Sequence, residues 1–125
     1  MAGGPLRFEG YAAVFDRADR AGDVMRAGAF AGAGVVPLLR DHRGRAVGRI
    51  TALAEDARGL RVVGEVEDDE VARLVRCGAL GGLSVGYRPL SVRQGARREL
   101  LRVALAEVSL VAVPMQPLAR VDRLN

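Results

Sequence analysis

Only one stretch of this chain shows the spacing of an amphipathic helix. The segment 68–76 begins with acidic residues, and Gly78, which favours a helix end, follows it. Apolar residues recur within this segment at helical spacing, at Val71, Leu74 and Val75. The other apolar segments are short and lie between turn residues, which is typical of strands. The pattern predicts a mostly β fold with one or a few short helices, built as a small closed β-barrel or a strongly curved sheet.

The predicted strands are spread along the whole chain. They cover residues 6–15, 35–39, 46–54 and 59–66, the segment around Ser84, and residues 100–113. Residues 16–34 are predicted as a long loop with one short helix around 27–31, and residues 89–98 as a turn region. Almost nothing is expected to follow the last strand. With 125 residues the chain has room for one domain, 1–125, in which residues 1–5 are a loose leader.

The composition excludes several kinds of site. All 19 basic residues are arginine, so serine–lysine dyads, Schiff bases and lysine-type phosphate loops are ruled out. A single cysteine and a single histidine exclude an intrachain disulfide and disfavour a zinc site, and no cofactor is indicated. The arginines are scattered among 15 acidic residues with few aromatics, which disfavours nucleic-acid binding. No apolar run is long enough to span a membrane, and a cytoplasmic protein is predicted.

Ser84 lies in a strand-like run with glycine on both sides, Gly81 to Tyr87. Alternation places Ser84 and Gly86 on one face of the strand, a face with so little bulk that a substrate could approach it. The run matches the G-x-S-x-G nucleophile elbow of α/β-hydrolases, but no histidine follows the serine, as that fold requires. The alternative interpretation is a core strand whose small face packs under a helix.

His42 is the only side chain that could act as a general base for Ser84 near neutral pH, because the chain has no lysine. It lies in a polar turn, residues 40–45, so it could equally be an exposed residue without a role. A histidine that precedes the serine is compatible with acyl transfer, since catalytic triads are defined by geometry rather than by chain order.

Glu107 is the only charged residue between Arg102 and Arg120, inside an otherwise apolar strand. If this strand is buried, the carboxylate needs a cation or several hydrogen-bond donors. A histidine that becomes cationic during turnover would provide one, and the carboxylate would hold its tautomer. The alternatives are that Glu107 forms a structural ion pair with an arginine, or that it lies at a strand edge where water reaches its carboxylate.

Two further residues compete for the role of nucleophile. Ser109 shares a strand face with Glu107 among bulkier neighbours, and is predicted to be a buried hydroxyl outside the chemical step. Cys77 ends the predicted helix and could pair with His42 as a thiol, but an isolated cysteine is more often a small core residue.

Taken together, the segments resemble the prohead (capsid-maturation) proteases of tailed bacteriophages. The resemblance covers about residues 8 to 120 and rests on six pieces that occur in the same order: Phe8-Glu9-Gly10-Tyr11-Ala12 through Phe15; Gly22-Asp23-Val24 with Gly28-Ala29-Phe30; Val36-Pro37-Leu38-Leu39 leading to His42, with Val47-Gly48 after it; Gly59-Leu60-Arg61-Val62 with Gly64; Leu83-Ser84-Val85-Gly86-Tyr87; and Glu107-Val108-Ser109-Leu110-Val111 with Pro114. That family is distantly similar to the herpesvirus assemblin proteases. The sequence departs from it where Arg43, rather than an acidic residue, follows the histidine.

The resemblance implies a herpesvirus-protease-like fold and a serine endopeptidase with nucleophile Ser84, base His42 and supporting acid Glu107. It implies that the substrates are scaffold segments and the N-terminal segment of the major capsid protein, inside the immature prohead in the bacterial cytoplasm. It leaves room for self-cleavage, for a homodimer, and for an origin in a phage, a prophage or a gene transfer agent. The alternatives are an inactive head-assembly or scaffold-binding protein on the same fold and, third, a basic nucleic-acid-binding module.

Overall fold

The computed structural model describes residues 5–125, so most of the predicted leader lies outside the described residues. The elements are β1 (Leu6–Val14), β2 (Val24–Met25), β3 (Pro37–Arg40), β4 (Arg43–Glu55), β5 (Gly59–Val66), α1 (Asp69–Arg76), β6 (Gly82–Gln94), β7 (Arg98–Val111) and β8 (Val121–Leu124). The mostly β fold with one short helix is therefore confirmed. Every strand predicted from the sequence is present.

The strands form a single sheet in which β7 has the most partners. The order is β2-β7-β3-β4-β5-β1-β8, and β6 also pairs with β7. The β2–β7 and β3–β7 pairs are parallel, and the other pairs are antiparallel. Within residues 5–125 no ladder between named strands joins β8 to β6. Backbone hydrogen bonds from Leu83 to Ala119 and from Val121 to Gly81, both 3.0 Å long, link the two regions. The closed β-barrel stays a prediction.

One hydrophobic core lies against the sheet. Its fully buried side chains come mainly from the five strands β1, β3, β5, β6 and β7, among them Phe8, Leu38, Leu60, Leu83 and Leu110. Removing each of these from water stabilises the fold by about 1.5–3 kcal/mol. The helix adds Val71, Ala72 and Val75 to the same core.

The helix begins and ends where the sequence predicts. The side chain of Asp68 accepts a 2.9 Å hydrogen bond from the backbone N–H of Val71, which caps the first turn. Gly78 follows the last turn with φ of +85°, a conformation that favours glycine. Capping and the buried apolar face together explain why so short a helix is stable.

The short helix predicted around residues 27–31 is wrong. This segment forms successive turns, with backbone hydrogen bonds from Ala29 to Arg26 and from Ala31 to Gly28. Gly28 has a φ of +90°, which interrupts a right-handed helix. The carboxylate of Glu55 instead accepts the N–H groups of Gly28 and Phe30, each at 2.8 Å. The carboxylate of a residue at the end of β4 therefore holds these turns in place.

The chain also differs from the prediction at two other places. The turn region predicted over 89–98 is mostly strand, because β6 continues to Gln94 and β7 already begins at Arg98. A last strand, β8, follows residue 113 and pairs with β1 through Phe8 and Leu124. Its four residues are too few and too polar for the sequence pattern to indicate a strand.

Candidate active site

His42 lies in a two-residue turn between β3 and β4. Both turn residues are left-handed, Asp41 with φ of 54° and His42 with φ of 61°. A two-residue hairpin of this kind needs positive φ at both positions, and Asp and His tolerate it better than most residues. The backbone N–H of Asp41 donates to the carbonyl oxygen of Leu110 at 3.2 Å, and that of His42 donates to Ser109 Oγ at 2.9 Å. The turn is thus fastened to β7.

Glu107 points from β7 toward the ring of His42. The imidazole Nδ1 lies 2.6 Å from Glu107 Oε2, and the Ser109 hydroxyl donates to Glu107 Oε1 at 2.8 Å. An ionised carboxylate has no proton to give, so the proton in the first contact belongs to Nδ1. In the neutral imidazole, Nε2 is then the free acceptor. The Glu107 side chain is 12% exposed and that of His42 is 41% exposed, so the pair reaches from the sheet into solvent.

Gly86 makes room for this carboxylate. It is the cross-strand partner of Glu107, and a Cβ built on it would lie 1.9 Å from Glu107 Oε2. Any larger residue at this position would force the carboxylate away from His42. The sequence analysis interpreted the small residues on this strand face as space for a substrate. In the structure, the space at Gly86 is occupied by the Glu107 carboxylate.

Ser84 lies on β6 directly opposite Ser109 and is 8% exposed. It shares with His42 a surface groove of about 420 Å³, whose other lining residues are Asp41, Met115 and residues 111–113. On its other side Ser84 borders a cavity of about 60 Å³. Among residues 5–125 no hydrogen bond joins Ser84 to His42. The structure thus brings Ser84 and His42 to one groove and leaves the bond between them unmade.

The sequence matches one family over nearly its whole length. The family is described as caudovirus prohead serine protease, and residues 2–125 match it. The chain belongs to this family. No match was found among curated proteins.

Solved herpesvirus proteases share the fold of this prohead protease family member. The structure of varicella-zoster virus protease is similar with a TM-score of 0.62 and 18% identity, over 94% of this chain and 63% of that one. The crystal structure of KSHV protease in complex with a hexapeptide phosphonate inhibitor is similar with a TM-score of 0.58 and 16% identity, over 90% and 61%. The chain therefore spans less than two thirds of the length of these relatives.

The sequence did not predict the part that Ser109 has in this prohead protease family member. The residue is buried as expected, with 0% exposure, but its hydroxyl contacts both Glu107 and the backbone of His42. The signal in the sequence is the spacing of two residues between Glu107 and Ser109, which places both on one strand face. Cys77, expected in the core, is exposed at the end of α1 and does not line the groove of Ser84 and His42.

Residues 5–125 contain no group of three or more His, Cys, Asp or Glu residues placed to hold a metal ion. No helix in this range is long and apolar enough to cross a membrane.

Proposed function

We propose that this prohead protease family member is a serine endopeptidase with Ser84 as nucleophile, His42 as general base and Glu107 as the residue that orients His42. The observation that carries the proposal is the 2.6 Å contact between His42 Nδ1 and Glu107 Oε2, at a groove that Ser84 also lines. This contact leaves Nε2 of a neutral imidazole as the proton acceptor, on the ring that shares the groove with the serine.

The steps follow from these positions. Ser84 Oγ attacks the carbonyl carbon of the scissile bond while His42 Nε2 takes the hydroxyl proton. The imidazolium that forms is stabilised by the Glu107 carboxylate at Nδ1 and gives its proton to the leaving amine. Water then attacks the acyl-enzyme, with His42 again as base, and releases the acid product and Ser84. In proteases without substrate, the hydrogen bond between serine and histidine is often long or not formed. It forms when substrate binds.

The substrates are peptide segments of the scaffold and of the major capsid protein, cut inside the immature head in the bacterial cytoplasm. Membership of a family of prohead proteases supports this assignment. The groove has exposed apolar side chains at its edge, Val113 and Met115, which are 66% and 49% exposed. These side chains would bind apolar residues of an extended peptide. The same chemistry permits self-cleavage, and a gene transfer agent would use the same capsid substrates.

A fluorophosphonate probe followed by intact-mass analysis tests the nucleophile. We expect one adduct on the wild-type chain, none on Ser84→Ala, and an adduct of wild-type yield on Ser91→Ala, a control at an exposed serine on β6. Incubation of the wild-type protein with the major capsid protein of the same particle should shorten that protein by one defined cut. An adduct retained in folded Ser84→Ala would contradict the assignment.

The second candidate function is a non-catalytic head-assembly protein that binds scaffold. The missing hydrogen bond between Ser84 and His42 in the described residues fits this function as well as it fits a protease without substrate. Binding of the capsid protein without cleavage and without any probe adduct would support this alternative.

A further inference from the structure

We propose that Ser109 is a positioning residue for the proposed catalytic pair, holding the Glu107 carboxylate and the His42 turn in register with each other. The inference rests on the proposed function and adds a fourth residue to it. One oxygen atom, Ser109 Oγ, contacts both partners: it accepts the N–H of His42 at 2.9 Å and donates to Glu107 Oε1 at 2.8 Å.

The hydrogen bonds of this hydroxyl are fixed by what each partner can offer. The N–H of His42 can only donate, so Ser109 Oγ accepts there. An ionised carboxylate can only accept, so the single hydroxyl proton of Ser109 goes to Glu107. The proton of Ser109 is therefore engaged, and its side chain is fully buried. Because the side chain is fully buried, a substrate carbonyl has no access to its oxygen, and the two hydrogen bonds assign Ser109 to orientation.

The turn that carries His42 needs such support. A non-glycine residue in the left-handed region costs about 1–3 kcal/mol and persists only where its surroundings determine it. Asp41 and His42 are both left-handed, and the two backbone donors of this turn are bound by β7, one of them by the Ser109 hydroxyl. Without this hydroxyl, one of the two bonds that hold the turn against β7 is lost.

Ser109 is itself held rigidly. It lies between two neighbouring strands, opposite Leu39 on β3 and opposite Ser84 on β6. Ser109 is therefore level with Ser84 on one side and, on the other, lies beside the strand that leads into the His42 turn. Through Ser109 the sheet sets where the imidazole lies relative to Ser84. Loss of its hydroxyl frees the Oε1 side of Glu107 and the backbone of His42 together.

Nuclear magnetic resonance of the His42 imidazole tests the role of Ser109 without an activity assay. The chain has a single histidine, so labelled ring nitrogens give one set of signals. In wild-type protein at a pH where the ring is neutral, we expect the tautomer protonated on Nδ1. In Ser109→Ala we expect a mixture of the two tautomers and faster exchange of the Nδ1 proton with water. Ser91→Ala, the exposed serine control, should give the wild-type spectrum.

Kinetic measurements on two variants of similar shape, Ser109→Thr and Ser109→Val, separate the effect of the hydroxyl from the effect of side-chain shape. Thr and Val have the same outline, and only Thr keeps the hydroxyl, so Ser109→Thr should retain the wild-type tautomer and rate while Ser109→Val should not. For Ser109→Ala and Ser109→Val we expect kcat to fall by roughly 10- to 100-fold with KM nearly unchanged, because misplacement affects the chemical step. If neither Thr nor Val folds, the comparison of Ser109→Ala with wild type decides alone.

Different results would contradict the positioning role of Ser109 and the proposed protease function. A folded Ser109→Ala protein with unchanged tautomer and unchanged kcat would overturn the role of Ser109. So would equal losses in folded Ser109→Thr and Ser109→Val. A wild-type chain that never labels at Ser84 would contradict the protease function instead, and the tautomer spectra would still decide whether Ser109 orients His42.

Discussion

At the scale of single residues, the proposed chemistry depends on the hydrogen-bond partners of the Glu107 carboxylate. Each of its carboxylate oxygens has its own partner, Oε1 the Ser109 hydroxyl and Oε2 the His42 ring. A carboxylate that is 12% exposed would be costly without such partners, whereas here the partners are parts of the proposed site. In the proposed mechanism, the charge that stabilises the imidazolium is therefore already in place before substrate binds.

Removing the nucleophile or the base should abolish turnover to a similar degree. Ser84→Ala and His42→Ala are each expected to lower kcat by about 10⁶-fold, because the two residues act as a unit. For the same reason the double variant should be little worse than either single variant. Initial rates on a capsid-derived peptide measure all three, with circular dichroism to confirm folding. Multiplicative losses in the double variant would contradict a shared step.

Glu107→Gln should be less damaging. The amide preserves the shape but loses the negative charge beside Nδ1, so we expect kcat to fall by about 10²–10⁴-fold. The same rate assay applies, and thermal unfolding of the variant gives the control for stability. A loss as large as that of Ser84→Ala would mean that Glu107 has a direct part in the bond-breaking step.

Gly86→Ala should disable the site while leaving the sheet folded. The added methyl group overlaps Glu107 Oε2, and the carboxylate has to rotate away from His42. Gly81→Ala is the matched control, because the closest atom to its added methyl group is 3.7 Å away. We expect the rate to fall by at least about 100-fold in the first variant and to stay near wild type in the second. Equal rates in the two variants would show that Glu107 does not need this position.

The sequence indicates His42, Ser84 and Glu107 because each is the one chemically suitable residue in its own segment. Their convergence is not visible in the spacing, since 65 residues separate His42 from Glu107. Ser109 could be predicted as a buried hydroxyl on the face of Glu107, but not as a partner of the His42 backbone. That contact depends on the parallel register of β3 and β7, which no local pattern encodes.

At the scale of elements, the β6–β7 hairpin combines two different parts. Its inner half carries Ser84 and Glu107, and its outer half, which the sequence predicted as a turn, is an exposed two-stranded ribbon. Glu99 ties this ribbon to the rest of the sheet by accepting from Arg93 Nη2 at 2.8 Å and from Arg26 Nε at 2.7 Å. Alternation of apolar residues is weak there, so the sequence pattern does not predict these strands, although Arg93 and Glu99 form an ion pair across them.

This ion-pair cluster predicts an acid sensitivity of the fold. Hydrogen bonds from Arg93 and Arg26 lower the pKa of Glu99 to about 2, below its usual value of 4.5. A group with a lowered pKa in the folded state stabilises the fold above its unfolded pKa and loses this contribution as the pH falls. We therefore expect the urea midpoint to decline between about pH 4.5 and pH 2, and to decline less in Glu99→Gln. Parallel curves for both proteins would contradict the assignment.

At the scale of the whole molecule, β7 joins most of the structure. It pairs with β2, β3 and β6, and it carries Glu107 and Ser109 between β3 and β6. The fold class could be predicted because the strand patterns are local. The strand order could not be predicted, because parallel pairing of β3 with β7 joins segments about 70 residues apart in the chain.

Loss of activity and loss of structure should therefore coincide. Because Glu107 and Ser109 lie on β7, the strand with the most partners, kcat and the far-ultraviolet signal should be lost at one urea midpoint, as in a two-state transition. Side-by-side titrations of both signals provide the measurement. Inactivation at clearly lower urea than unfolding would show that the His42 turn opens before the sheet does.

The position of Ser109 between two paired strands also affects how fast the nearby backbone amides exchange their hydrogens with water. Backbone amides in paired central strands exchange their hydrogens with water only when the strands separate, while loops exchange within brief local openings. The amides around Ser84 and Ser109 should thus be among the slowest to become deuterated, and those of the mostly exposed residues 31–35 among the fastest. In this molecule the proposed chemistry would reside in the part that opens least often, and motion needed to admit a peptide would come from the loop after β7, whose Val113 and Met115 line the groove.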